Sequence, residues 1–444
     1  MSRLSGRKSR SAREGAVPDG GAPPTVASAV IEPTGDTATG AAQFKGDVAG
    51  VVQAVRRRLA AVVESVCGGR PRAQDITDTF GIYRKLGWQI WNVVYAEDPL
   101  AAIRHLPNPR TLRVWNEAMQ TKGVSGELIA RLDEAIAQFH RSVKSHADDR
   151  EMLEMLVESN AEALDEASAA RWRKQAFTGN AYTWGVRARC MLACAIIFPS
   201  AARDGYFDMV RVQGLIGLVR TRPGIRWPFA QLLIRDTEGK KMPYGREPLA
   251  PESTALRQTG VPLLEEFCSR PLPRVQRVQG NMGMVQDELL PGEIGQSGAA
   301  DIVTGEILRE VGPAWADEPG HTNSFGTGVR TPSELLVSDQ LVHRDLFPGV
   351  DRELLVFGEL MTQLSRDERD RIPVPETVQH LGPVSDGIST ADVPRHGELL
   401  SRVLRLAGLK ADDFQAYRVR MRYPPLPVSV IVRHEMPVKR PATN

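Results

Sequence analysis

Arg84, Lys85 and Gln89 stand close together, beside Tyr83 and Trp88, with Arg70 and Arg72 just upstream. These side-chain types reach guanine and adenine edges or phosphate oxygens. A second cationic row, Arg418, Arg420 and Arg422, alternates with Tyr417, Val419, Met421 and Tyr423. On a strand that spacing puts the three guanidiniums on one face. Such a face can grip an anionic ligand or partner, or pair with acids on a neighbouring strand. A third group, running from His380 through Ser385, Asp386, Asp392 and Arg395 to His396, gathers acid–base and nucleophilic residue types in one loop. Nothing in its spacing matches a nucleophile elbow, and ordinary turn chemistry competes with an enzymatic role. Cys190 and Cys194 share one strand face, but zinc needs two further ligands, and buried structural thiols are the expectation. No catalytic residue, metal ligand or cofactor is assigned.

The first cationic group must be positioned by the stretch from Arg70 to Tyr95. Ile76, Gly81-Ile82, Gly87 and Ile90 are spaced for two short helices and a tight turn, with glycine where the backbone turns left-handed. Ile76, Ile82 and Ile90 are the expected contacts between the helices. Over these residues the chain resembles helix-turn-helix DNA-binding proteins. The resemblance implies a recognition helix over 83–94, with Tyr83, Arg84, Lys85, Trp88 and Gln89 facing the major groove and Arg70 and Arg72 near phosphates. It departs from the pattern at Thr77, usually a small residue, and at Gly87, usually apolar. A plain helical bundle, with Trp88 and Trp91 in its core, is the competing reading. The layout of the whole chain is similar to a bacterial family with no assigned function. His343-Arg344-Asp345-Leu346 resembles the catalytic loop of protein kinases, but the metal-binding asparagine would fall at Val350, and no phosphate loop precedes it.

The remaining chain sets the scaffold. Its 444 residues allow two or three domains, and a net charge of +2 restricts any nucleic-acid affinity to a local patch. Four cysteines suggest no disulfide framework and fit a reducing cytoplasm. No apolar run is long enough to span a membrane, and the basic N-terminus lacks an apolar segment of the secretory kind. Residues 1–44 are Gly-, Ala-, Ser- and Pro-rich and are expected to be a disordered tail. Arg3, Arg7, Lys8, Arg10 and Arg13 within it form a candidate basic arm.

From Asp47 the 3.6-residue period predicts a helical domain over 45–175. Helix starts are expected at Asp98-Pro99, Asn108-Pro109, Ser125 and Asp148-Asp149. Near Asn180 the period shifts to two, predicting a mostly β domain over 176–440. It opens with a three-stranded meander (184–196, 209–221, 227–234), continues through long loops with some strand over 236–335, carries a helix at 397–407, and closes on a hairpin over 417–432. The fold class is therefore α+β, with an N-terminal all-helical domain and a C-terminal mostly antiparallel β domain. That arrangement suggests a DNA-binding regulatory protein whose β domain senses a signal or forms a homo-oligomer. The alternatives are an interaction or scaffold protein, and an enzyme using the 380–396 loop.

Overall fold

The structure is a computed structural model that describes residues 35–161, 164–233, 245–279, 284–359 and 368–438. The basic arm therefore lies outside the described residues. Contacts divide the chain into two units at Asp47 and Val48, and the architecture below concerns Val48 onward. The fold is α+β, with helices first and mostly antiparallel strands after them.

Helix α1 (Gly35–Cys67) starts well before Asp47. Its Val52, Val55, Leu59, Val62 and Val63 are buried on one face. Next come α2 (Ala73–Phe80) and α3 (Arg84–Tyr95), then a short 3-10 turn over Leu100–His105. The helical part closes with α4 (Pro109–Thr121), α5 (Gly126–His146), α6 (Arg150–Ser159) and α7 (Glu166–Trp184). The expected starts hold. Asn108 Oδ1 accepts from the Thr111 amide at 2.9 Å, Ser125 Oγ from Leu128 at 3.3 Å, and Asp149 Oδ1 from Met152 at 2.8 Å. The change of period near Asn180 does not mark a strand. Helix α7 runs on to Trp184, and Gly185, at φ 73°, stops it.

The strands are β1 (Val186–Arg187), β2 (Cys190–Pro199), β3 (Tyr206–Arg220), β4 (Trp227–Leu233) and β5 (Gly245–Pro248). Helix α8 (Thr254–Thr259) precedes β6 (Val275–Gln279), β7 (Met284–Leu289), β8 (Ala300–Pro313), β9 (Thr322–Val329) and β10 (Leu335–His343). Then come β11 (Glu353–Gly358), β12 (Gln379–Pro383), helix α9 (His396–Leu406), β13 (Phe414–Arg422) and β14 (Val428–Glu435). The main sheet has the order β12-β13-β10-β2-β3-β8-β5, with β1 beside β3; two smaller sheets are β11-β14-β9 and β4-β7-β6. Within the main sheet, β10 and β2 run parallel.

Two expectations about partners are corrected. β4 does not extend a meander with β2 and β3; it pairs with β7 in a separate sheet. β13 and β14 do not form a hairpin; β13 sits between β10 and β12, and β14 between β11 and β9. The stretch 236–335, expected as long loops with some strand, holds β8, a fourteen-residue strand of the main sheet over the apolar run Asp301–Val311.

One face of the main sheet carries the principal core. Leu192, Cys194, Ile196, Val212, Val337 and Leu341 belong to one apolar cluster with Leu399, Leu400, Val403 and Leu404 of α9. Full burial of each such side chain stabilises the fold by about 1.5–3 kcal/mol. The opposite face meets β9 through a ring cluster of Phe207, Phe325 and Phe347, whose centroids lie 5.5–6.2 Å apart.

Candidate nucleic-acid interface

Helices α2 and α3 are locked by a close contact. Gly81 turns the chain at φ 68°, and its amide donates to the Thr77 carbonyl. Ile76, Ile82, Leu86 and Ile90 are buried between the helices. The two departures from the motif explain one another. A Cβ added at Gly87 would lie 2.1 Å from Thr77 Oγ1 and 3.2 Å from Thr77 Cβ. The first helix carries the larger residue and the second carries none, so the close approach survives with the bulk exchanged. The Thr77 hydroxyl is satisfied by donating to the Ala73 carbonyl at 3.0 Å.

The far end of α3 is tied down. Arg56 of α1 donates to the Val93 carbonyl at 3.0 Å and to the Ala96 carbonyl, so a cation meets the negative end of the helix dipole. Trp91 Nε1 donates to the Pro71 carbonyl at 3.1 Å. These anchors leave the N-terminal half of α3 outward. Tyr83 and Trp88 are each 48% exposed, Arg84 and Lys85 are exposed, and Gln89 is partly so. Arg84 and Lys85 make no ion pair with a described residue. Tyr83 is the residue before the first helical turn rather than its first member. Trp88 is not core: its ring meets His105 edge-on at 5.1 Å, while Trp91 is the partly buried one. Arg70 lies over the Tyr95 ring at 5.1 Å, and Arg72 is paired with Asp75 at 3.2 Å on the surface.

The other sequence candidates fall elsewhere. Arg418 is buried and forks onto Asp339, at 2.7 Å from Nε and 2.9 Å from Nη2. Arg420 forks onto Asp392 at 3.0 and 3.2 Å. Arg422 lies 5.7 Å from the Tyr423 ring. Arg420 and Arg422 border a shallow pocket of about 210 Å³ with Arg189 and Asp392. Of the row, Arg418 therefore faces an internal acid. His396 Nε2 approaches the same Asp339 at 3.2 Å without hydrogen-bond alignment. Burial pushes the Asp339 carboxyl up, but Arg418 and His396 outweigh it and hold it below the usual carboxylate range.

His380 does not join His396. Gln379 pairs with Arg418 and His380 with Tyr417, so His380 lies on the opposite sheet face from Arg418 and Asp339. It stacks on Tyr417 at 4.8 Å, and Asp386 is exposed on a separate turn. Cys190 and Cys194 are buried free thiols. Burial pushes Cys190 up to about 12 and Cys194 well above its usual value, so neither is a ready nucleophile. Among the described residues no group of three or more His, Cys, Asp or Glu could hold a metal, and no helix is long and apolar enough to cross a membrane.

Sequence reasoning missed a polar cleft on the sheet face opposite α9. Gln340 of β10, Thr327 and Asn323 of β9, and Arg211 and Gln213 of β3 all line it. The available signal was Ser338-Asp339-Gln340, a polar run interrupting an apolar strand.

No family model matches the sequence, and no curated protein matches it. Among solved structures, a Parabacteroides distasonis chain described as a "putative protease" is similar at 9% identity and a TM-score of 0.22. The alignment covers 56% of this chain and 40% of that one, so this chain spans well under half of that protein's length. A TM-score of 0.22 carries no argument about fold or activity.

Proposed function

We propose that this chain is a cytoplasmic DNA-binding regulatory protein in which α3 enters the major groove. The observation that carries the reading is the open N-terminal half of α3. Tyr83, Arg84, Lys85 and Trp88 are exposed and uncovered by the β sheets, while the C-terminal half is anchored by Arg56 and Trp91. In the helix-turn-helix arrangement these N-terminal positions meet base edges. Arg84 and Lys85 supply the cations for phosphate or guanine contacts, and Gln89 an amide edge suited to adenine. The four free cysteines fit a reducing compartment.

Titration against random-sequence duplex DNA at two salt concentrations tests the reading, beside an Arg84→Ala, Lys85→Ala, Gln89→Ala variant. Wild-type affinity is expected to fall steeply with salt. The variant is expected to bind at least tenfold more weakly, with a salt slope reduced by roughly two, one for each cation removed. Equal binding by both proteins, or by neither, ends the proposal and turns attention to protein partners.

A further inference from the structure

Two chambers, of about 320 and 520 Å³, lie on the face of the main sheet opposite α9. They share Arg211, Gln213, Gly326 and Thr327, so they adjoin as two chambers of one cleft. The main sheet forms the floor, β9 one wall, and β4 the wall of the larger chamber. We propose that this cleft binds an uncharged nucleobase or nucleoside. The proposal stands independently of the DNA-binding reading.

Three features of the walls select that chemistry. The first is unmet hydrogen-bonding capacity. Gln340, 3% exposed, donates from Nε2 to the Phe325 carbonyl at 3.3 Å, yet its Oε1 has no partner among the described residues. Asn323 Nδ2 and Thr327 Oγ1 are likewise buried without partners, and all three residues line the smaller chamber. Buried polar groups are nearly always paired, so three orphans in one chamber, Gln340 on its floor and Asn323 and Thr327 on its β9 wall, mark a place completed by something else. The orphans comprise a donor, an acceptor and a hydroxyl that serves as either, and Gln213 and Ser338 add further groups of both kinds. A base edge, with donors and acceptors side by side, complements carboxamides of this kind.

The second feature is charge. Arg211 pairs with Glu306 at 2.8 Å, and Glu306 also receives Arg246. Arg277 stands 3.7 Å from the other Glu306 oxygen and forks onto Asp287 at 2.7 and 2.9 Å. The Asp339 carboxylate faces Arg418 beyond the floor. At the larger chamber, Arg226 and Arg330 are held by Glu288 at 3.2 Å and Glu359 at 3.0 Å. Each of these arginines already has a carboxylate partner, so a neutral molecule enters without disturbing any of the pairs. The third feature is a stacking surface. Trp184, half exposed at the end of α7, meets Trp227 edge-on at 6.2 Å, and both line the larger chamber. Flat rings stack on such indoles without any demand on charge.

Calorimetric titration of the full chain with adenosine, guanosine, cytidine and uridine, each alone, tests the proposal. Glucose and inorganic phosphate serve as comparison probes. At least one nucleoside is expected to bind, and glucose and phosphate are not. Gln340→Leu and Asn323→Leu should each weaken that nucleoside tenfold or more while leaving the urea unfolding midpoint in place. If Gln340→Leu fails to fold, Asn323→Leu, at a partly exposed site, decides alone. Absence of nucleoside binding at millimolar concentration overturns the proposal and leaves a cleft filled by water. Glucose or phosphate binding as well as any nucleoside overturns it too, as does wild-type affinity in the folded variants.

Discussion

At the scale of single residues, two buried ionisable groups pull stability in different pH windows. His434 is buried between the Phe325 ring at 5.8 Å and the Phe347 ring at 4.5 Å, and neither of its ring nitrogens has a partner among the described residues. Burial, and secondarily Arg352, lowers its pKa to about 4. An unfolded histidine titrates near ~6.5. The folded value is the depressed one, so the contribution is fully present above ~6.5 and is lost as pH falls through about 4. The difference corresponds to at most about 3 kcal/mol. Urea unfolding at a series of pH values should show stability falling across that window, and His434→Phe should flatten the fall. A variant that tracks wild type would show that another group titrates there.

Asp339 belongs to the acid side: its carboxyl is held low, so its contribution is present above the unfolded carboxylate range and is lost as pH falls below it. Asp339→Asn leaves Arg418 buried without its counter-ion and is expected to cost about 3–5 kcal/mol. Asp392→Asn breaks the exposed Arg420 pair and is expected to cost at most about 1 kcal/mol. The alternation of the three arginines was legible in the sequence. The difference among them was not, because Asp339 is far along the chain and only strand register brings it opposite Arg418.

At the scale of elements, capped helices were legible and partner choice was not. Asn108, Ser125 and Asp149 each announce a helix because the cap is a local hydrogen bond. The α2–turn–α3 unit was legible for the same reason, through Gly81 and the isoleucines. Strand identity is also local, but strand partnership depends on burial elsewhere. β13 and β14 are adjacent in sequence and alternate correctly, yet β13 carries Arg418 to Asp339, while β14 carries His434 to the phenylalanine cluster. Within the α2–α3 unit, Thr77 and Gly87 should behave as one site. Gly87→Ala would relieve about 1 kcal/mol of helix propensity cost on its own. The added methyl instead meets Thr77 at 2.1 Å, and overpacking of this kind costs about 1–3 kcal/mol. Gly87→Ala is therefore expected to destabilise the chain, and Thr77→Ala in the same protein to recover much of the loss. The double-mutant cycle measured by urea unfolding reads the coupling directly, and additive effects would mean the helices do not meet there.

At the scale of the whole molecule, α7 is the element that belongs to both parts. On one side Arg171 pairs with Glu154 at 3.3 Å and Glu158 at 2.8 Å of α6, and Trp172 Nε1 donates to Glu158 at 2.7 Å. On the other side Arg173 pairs with the buried Glu376, and Phe177 packs 5.4 Å from the Tyr423 ring just beyond β13. Its last residue, Trp184, lines the larger chamber of the cleft. A helix held at both sides transmits strain between them only if its attachment to the sheet is a discrete contact, and Arg173–Glu376 is the contact to remove. Glu376→Gln takes away the charge that meets a mostly buried guanidinium, with an expected cost of about 3 kcal/mol. The loss should be local, because the apolar cluster around β2, β3 and α9 does not depend on it. Hydrogen exchange of the variant should rise across α7 and α6 while β2 and β3 keep wild-type protection. Exchange rising equally in every peptide would mean that the helices and the sheets unfold as one cooperative unit, and α7 would then be core rather than link.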